Sequence, residues 1–190
     1  MKYALLYGSY REGRQGIKVV KFIKKLIEKQ GNEAIVLDAK EKNFPLLNKM
    51  YKEYEEGTAP KFMSDVHDVL SSVDAFILVT GEYNHSVQAG LKNMVDHFMP
   101  EFSWKPTGIV SYSAGGFGGV RCAIQWRIIM GELGSVTLPS IFSVSDVYNS
   151  IDESGEAADD ALISRTKKFF DELEWYGKTL RRGREKGTPY

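Results

Sequence analysis

The side chains with the clearest chemical potential lie in one nine-residue turn, residues 8–16, between an apolar run and a helical pattern. The turn carries the hydroxyl of Ser9, the guanidinium groups of Arg11 and Arg14, and glycines that let its backbone fold tightly. The N-terminus of the following helix offers unpaired N–H groups and a favourable dipole to an anion. The two arginines add positive charge and several N–H donors. These residues predict a phosphate-binding turn.

The turn matches neither of the common phosphate motifs. A P-loop requires lysine and then serine or threonine after Gly-x4-Gly, whereas Gly8 and Gly13 are followed by Arg14 and Gln15. The dinucleotide motif Gly-x-Gly-x-x-Gly is absent after the first apolar run. A solvated glycine-rich loop with surface arginines is therefore the alternative interpretation of this segment taken alone.

Two more turns carry residues that suit a ligand. In residues 81–86, Tyr83 offers a flat aromatic face and Asn84 an amide that both donates and accepts hydrogen bonds. Both features suit the edge of a planar heteroaromatic ring, and an ordinary strand-to-helix loop is the alternative. Residues 113–119 contain four glycines, which indicates close approach of the backbone to something flat or tight helix packing.

The three turns follow apolar runs of the kind that form strands buried on both faces. Five such runs are predicted as strands, at residues 3–7, 34–38, 75–80, 107–112 and, briefly, 136–138. Amphipathic helical patterns separate them. The alternation predicts an α/β fold, a doubly wound five-stranded parallel sheet of order 2-1-3-4-5 with helices on both faces. In that order the three turns meet at the carboxyl ends of strands 1, 3 and 4, beside the switch point where ligands bind.

Taken together, the three turns resemble motifs of the NAD(P)H-dependent FMN reductase family, whose members are flavodoxin-like and include quinone, chromate and azo-dye reductases. The matching segments are Gly8-Ser9-x-Arg11, Glu82-Tyr83-Asn84-x-Ser86 with Leu91-Lys92-Asn93, and Ser113-x-Gly115-x-x-Gly118-Gly119-x-Arg121. The resemblance extends over about residues 1–138. The sequence departs from the family pattern at Gly81, where proline is usual, and at Arg14, where serine is common.

The resemblance implies FMN as the cofactor and NADH or NADPH as the co-substrate. It places the FMN phosphate at Ser9, Arg11, Arg14, Gln15 and Gly16. It places the isoalloxazine ring along Glu82, Tyr83, Asn84 and His85, with the backbone of Ser113, Ala114, Gly115 and Gly116 at its other edge. Hydride would pass from the nicotinamide to flavin N5, and electrons then to a quinone, free flavin or similar small acceptor in a ping-pong cycle. The flavin carries this chemistry, so no catalytic side chain is assigned.

The charge balance separates this interpretation from others. The chain has 25 Lys and Arg against 25 Asp and Glu, a formal net charge of zero, which argues against nucleic acid or an anionic membrane as a partner. The first alternative function is a flavodoxin-type electron carrier without nicotinamide activity, but such carriers are usually strongly acidic. The second is a domain that binds another phosphorylated ligand without redox chemistry.

The cysteine and histidine content indicates no metal site. Cys122 is the only cysteine, so neither an intrachain disulfide nor a thiolate metal cage is possible, and it is interpreted as a small buried hydrophobe. The three histidines show no metal-binding spacing. No run of about 18 apolar residues occurs. A soluble cytoplasmic protein is expected.

The domain organisation is predicted as one flavodoxin-like domain over residues 1–180, followed by a basic, flexible tail at residues 181–190. The resemblance implies a homodimer or homotetramer. Residues 41–61 form a long connection rich in Tyr, Glu and Lys. Such connections are often lids or interfaces, so this segment, with Tyr51 and Tyr54, is expected to form a wall of the site that faces a partner subunit.

Overall fold

A five-stranded parallel sheet forms the centre of the computed structural model, which describes residues 1–189. The strands are β1 Lys2–Tyr7, β2 Glu33–Asp38, β3 Ala75–Gly81, β4 Pro106–Tyr112 and β5 Val136–Val144. Their order in the sheet is β2-β1-β3-β4-β5, and every neighbouring pair is parallel. The predicted doubly wound α/β fold and its strand order are therefore confirmed.

Helices cover both faces of the sheet. They are α1 Gly16–Lys29, α2 Ala39–Lys42, α3 Lys61–Ser72, α4 Ala89–Asp96, α5 Val120–Glu132, α6 Val147–Ser150 and α7 Asp160–Arg184, with short 3-10 turns at Tyr51–Glu53 and Pro100–Phe102. Side chains alternate across a strand. In β1, accordingly, Leu5 packs in the core beneath α1 and α7, and Leu6 in the core beneath α3, α4 and α5. Both faces of this strand are buried, which explains its unbroken apolar run.

The fifth strand is longer than predicted, because it continues beyond residue 138 to Val144. Pro139 lies within it, and a proline is tolerated there because β5 pairs only with β4 and is an edge strand. The register shifts between Thr107 and Ile109 of β4, which pair with Thr137 and Ile141. The additional length carries the end of β5 to the same edge of the sheet as the ends of β3 and β4.

The last helix also runs further than expected, so that the predicted domain boundary at residue 180 falls inside α7. Arg181 lies 3.3 Å from the Asp74 carboxylate, and Arg184 donates a hydrogen bond of 2.8 Å to the Trp104 carbonyl. These contacts attach residues 181–184 to the body of the domain. The tail prediction extended to residue 190, which lies outside the described residues.

Two negative findings apply to the described part of the chain. None of its helices combines the length and apolar content needed to cross a membrane. Within residues 1–189, no three His, Cys, Asp or Glu side chains are grouped so that they could hold a metal ion.

A close crossing of α4 over the end of β1 sets the distance between the first two predicted turns. A Cβ added to Gly8 would lie 2.2 Å from the Leu91 Cβ, and one added to Gly90 would lie 2.4 Å from the Tyr10 ring. No side chain fits at either distance, so the crossing requires glycine on both elements. The turn after β1 and the helix after β3 are thereby held together.

Gly8→Ala is expected to lower the free energy of unfolding by roughly 1–3 kcal/mol, because the Leu91 backbone has to move. Urea unfolding followed by circular dichroism measures this change. Gly131→Ala is the matched control: nothing lies within 4 Å of its added Cβ, on an exposed position of α5. We expect the control to be neutral or more stable by up to about 1 kcal/mol. Equal stability of both variants would contradict the close crossing.

Candidate functional site

A cleft opens at the carboxyl ends of the central strands, where the predicted turns meet. Its walls are Ser9, Arg11–Gln15, Gly81–Tyr83, Tyr112–Ala114 and Val147–Tyr148. Four separate segments, following β1, β3, β4 and β5, therefore contribute to one cavity. This is the position at which ligands bind in doubly wound sheets.

Most of the predicted site residues line this cleft. They are Ser9, Arg11, Arg14, Gln15, Glu82, Tyr83, Ser113 and Ala114. The remaining five do not line it: Gly16 is buried, and Asn84, His85, Gly115 and Gly116 are exposed. The structure thus brings the three turns together as expected, while the role of each residue in binding a cofactor remains a prediction.

The N-terminus of α1 has no cap of its own. Gln15 occupies the N-cap position without a side-chain hydrogen bond to the helix, and the first turn contains no acidic residue. None of the backbone N–H groups of residues 9–17 donates to a backbone carbonyl with normal geometry. The first that does is the N–H of Lys18, which donates to the Gln15 carbonyl at 3.1 Å. The preceding N–H groups are available to an external acceptor, and the helix dipole favours an anion there. This is a physical requirement for phosphate binding.

The two arginines of the turn have different surroundings. Arg14 places Nη1 and Nη2 each 2.7 Å from the Asp38 carboxylate, and Nη1 also donates to the Ser9 carbonyl at 3.1 Å. Burial lowers the pKa of Arg14, but the hydrogen bond and charge of Asp38 outweigh it, so that the pKa is raised overall. Arg11 is exposed and forms no ion pair or hydrogen bond within residues 1–189. Arg14 therefore braces the turn, whereas Arg11 is available to a ligand.

A hydrogen bond joins the first turn to the second. The Ser9 Oγ and the Tyr83 hydroxyl lie 2.7 Å apart. Ser9 is only 2% exposed, so this contact is sheltered from water and is stronger than an exposed one. It fixes the Tyr83 side chain relative to the start of α1.

The second turn is a tight hairpin. Tyr83 and Ser86 exchange both backbone hydrogen bonds, at 3.0 and 2.9 Å, and the two residues between them have positive φ, 49° for Asn84 and 63° for His85. Positive φ at both central positions is the type I′ geometry, and Asn and His adopt positive φ more often than most other non-glycine residues. Gln125 of α5 holds the turn, because it accepts from Ser86 Oγ at 2.7 Å and donates to the His85 carbonyl at 2.8 Å.

The Glu82 carboxylate is engaged inside the protein. It accepts hydrogen bonds from the Arg121 backbone N–H at 3.0 Å and from the Arg121 Nη1 at 2.9 Å, and its side chain is 7% exposed. A carboxylate at the N-terminus of α5 is favourable for the helix dipole. Glu82 therefore links the end of β3 to the start of α5 below the third turn.

The cleft has an aromatic floor that the sequence did not reveal. A Cβ added to Gly16 would lie 2.2 Å from the Tyr112 ring, and a Cβ added to Gly81 would lie 2.8 Å from it. Burial raises the pKa of the Tyr112 phenol well above its usual value, and Gln88 donates to its oxygen at 3.1 Å. Tyr112 was assigned only to a strand, so its contact with both glycines could not be foreseen. The structure gives Gly16 this packing role.

Tyr148 is the other cleft residue that sequence reasoning missed. It lies just beyond β5, whose end was predicted six residues too early. With β5 extended to Val144, the rule that ligands bind at the carboxyl ends of strands would have indicated this segment.

The doubly wound sheet, with a cleft at its switch point, defines a flavodoxin-like α/β protein. The model of the NADPH-dependent FMN reductase family matches residues 1–149, and the chain belongs to that family. The expected oxidoreductase class, with FMN as cofactor and NAD(P)H as reductant, is thereby confirmed.

Individual relatives agree with this membership. The chain is 40% identical to an NAD(P)H-dependent FMN reductase of Schizosaccharomyces pombe over 38% of its own length and 35% of that protein. It is 29% identical to a quinone reductase of Escherichia coli K12 over 68% of this chain and 70% of that protein. The structure of FerB, a flavoenzyme NAD(P)H:(acceptor) oxidoreductase from Paracoccus denitrificans, has a similar fold, with a TM-score of 0.73 and 21% identity over 92% of this chain and 98% of that one.

Arg14→Ala is expected to lower the free energy of unfolding of the cofactor-free protein by roughly 3 kcal/mol, because the Asp38 carboxylate stays buried without its partner. Chemical unfolding at low salt measures the loss. Arg11→Ala is the matched control and should change stability by less than about 0.5 kcal/mol, since the side chain is exposed. Similar losses in both variants would refute the division between a bracing and a free arginine.

Proposed function

We propose that the protein oxidises NADH or NADPH through bound FMN and passes the electrons to a quinone, free flavin or similar small acceptor. The observation that carries this proposal is the uncapped N-terminus of α1, facing a cleft in which the Arg11 side chain has no partner among the described residues. Family membership supplies the reaction class. The identity of the acceptor rests on the names of relatives such as the quinone reductase of E. coli.

The donor set at α1 fits a phosphate monoester. Backbone N–H groups, the Ser9 hydroxyl and the Arg11 guanidinium are hydrogen-bond donors, and a dianionic group needs several of them. Glu12 is the single carboxylate among residues 8–16, and it is exposed to solvent. We therefore assign the FMN phosphate to Ser9, Arg11, Gln15 and the start of α1. Arg14 is the residue that shapes this turn.

The other two turns fit a flat ring. Gly115 and Gly116 have no atom within 4 Å of the space where a Cβ would be, so a planar ligand could approach their backbone closely. Tyr83 and Glu82 form the facing wall. We assign the isoalloxazine to the space between these two turns, with Asn84 and His85 at the exposed rim.

FMN, when bound, supplies the hydride acceptance and the onward electron transfer. The residues of the chain bind and orient it, and no side-chain nucleophile is needed. Cys122, beneath the third turn, fits this division of roles. Burial raises the pKa of its thiol to about 11, and its Sγ donates to the Gly119 carbonyl at 3.0 Å. It is therefore a thiol at neutral pH and not a reactive thiolate.

We further propose a homodimer or homotetramer in the cytoplasm, where NAD(P)H is supplied, with residues 41–61 as a subunit contact. The adjacent Leu46 and Leu47 in that segment are 86% and 42% exposed, and neighbouring exposed apolar side chains suit a surface that a second copy covers. Tyr51 stacks on the His67 ring at 4.1 Å, so the segment has a fixed position. Sedimentation showing a fully active monomer would refute this part of the proposal.

The reaction class is tested by the absorption of the FMN-loaded protein under anaerobic conditions. NADH or NADPH should bleach the flavin bands, and a quinone should restore them. Because nicotinamide and acceptor share one open face, initial-rate plots at several acceptor concentrations should be parallel. Flavin that no nicotinamide can bleach would favour an electron carrier instead. Failure to bind FMN at all would refute both functions.

Arg11→Ala is expected to weaken FMN binding by roughly 10- to 100-fold, because a charge-assisted contact with the phosphate is lost. Quenching of FMN fluorescence on titration with cofactor-free protein measures the dissociation constant. Riboflavin, which has no phosphate, should bind wild type and variant alike. Unchanged FMN affinity in the variant would mean that the glycine-rich turn is an ordinary solvated loop.

A further inference from the structure

The segment that follows β5 closes one side of the cleft. We call residues 145–159 the strap; it includes α6 and reaches to the start of α7. Within the strap, Tyr148 lines the cleft and is 55% exposed. Its hydroxyl forms no hydrogen bond within residues 1–189. An exposed aromatic side chain with a free hydroxyl, at the wall of an anion-binding cleft, is a candidate ligand contact.

The first half of the strap is fixed to the third turn. Backbone N–H groups of Asp146 and Val147 donate to the carbonyls of Gly115 and Ser113, at 3.3 and 3.1 Å. Asp146 has a φ of 46°, in the left-handed region, and Val147 is buried in the core beneath α1 and α7. The backbone on the N-terminal side of Tyr148 is therefore anchored to a wall of the cleft.

The second half of the strap is fixed to α1 by lysines on one face of that helix. Lys18 lies 3.0 Å from the Glu153 carboxylate, and Lys21 donates to the Glu153 carbonyl at 2.7 Å. Lys25 forms an ion pair with Glu156. A Cβ on Gly155 would lie 2.6 Å from the Lys21 Cβ, so the strap lies directly against the helix.

Tyr148 lines the same cleft as residues 11–15, which precede α1. Lys18, which forms an ion pair with Glu153 of the strap, belongs to the first turn of α1. The strap therefore passes next to the uncapped N-terminus of α1. Because the backbone is fixed on both sides of Tyr148, the range of positions open to its side chain is limited, and less conformational freedom is lost when a ligand binds.

We infer that Tyr148 is a cofactor-binding residue whose hydroxyl donates a hydrogen bond to the phosphate group of the bound flavin nucleotide. The inference rests on the proposed function, since it takes FMN as the occupant of the cleft. It adds a donor from the end of β5 to those supplied by the turn after β1. It also assigns a role to the lysine contacts between α1 and the strap, which hold Tyr148 in place.

The test compares FMN with riboflavin, which shares the ring but has no phosphate. Tyr148→Phe retains the aromatic ring and removes only the hydroxyl. Dissociation constants from flavin fluorescence should show FMN binding weakened by about tenfold and riboflavin binding unchanged. Tyr176→Phe is the matched control, on α7 and outside the cleft, and it should bind both ligands like wild type.

The outcomes separate this inference from the proposed function. Wild-type protein that does not bind FMN refutes the proposed function itself. Wild-type protein that binds FMN, with Tyr148→Phe binding both ligands as tightly, overturns only the role of Tyr148. Equal weakening for FMN and riboflavin also overturns it, because the contact would then be with the ring. Urea unfolding of the cofactor-free variant, expected to match wild type, verifies that any loss is local.

Discussion

The ion pair between Arg14 and Asp38 is the interaction on which the shape of the site depends. It joins the turn after β1 to the end of β2 across a buried contact, with Asp38 only 2% exposed. The Asp38 carboxylate also accepts the Lys40 backbone N–H at 3.0 Å and so caps α2. Since Arg14 additionally binds the Ser9 carbonyl, the turn is held from behind. The backbone N–H groups of residues 9–17 have no backbone acceptor, and the exposed Arg11 side chain keeps its charge at the wall of the cleft.

From that turn, polar contacts link the ends of the strands in succession. Ser9 bonds to Tyr83, and the neighbouring Glu82 bonds to Arg121 at the start of α5. Backbone hydrogen bonds then connect the third turn to the strap, and lysines return the strap to α1. Every wall of the cleft is thus attached to the next one. Such mutual support keeps binding groups in place on segments that would otherwise move as loops.

The sequence allowed the fold to be predicted because its determinants are local. Apolar runs and helical spacing identify β1, β3 and β4, and the handedness of crossovers leaves few arrangements of the strands. The long-range pairings were beyond such reasoning. Arg14 and its partner Asp38 are 24 positions apart, and nothing in the motif distinguishes a bracing arginine from a free one. The end of β5 was missed because Pro139 interrupts its pattern, and Tyr148 was missed with it.

The Tyr112 ring accounts for the glycine at residue 81. The structure places the Tyr112 ring 2.8 Å from the position of a Cβ at residue 81. The same ring lies 2.2 Å from the corresponding position at Gly16. The Tyr112 ring therefore fits at this depth below the cleft only because both residues are glycines, which have no Cβ. Any residue with a Cβ at position 81 would require a smaller or displaced side chain at residue 112. Gly81 thus reflects how this chain fills the space below its cleft.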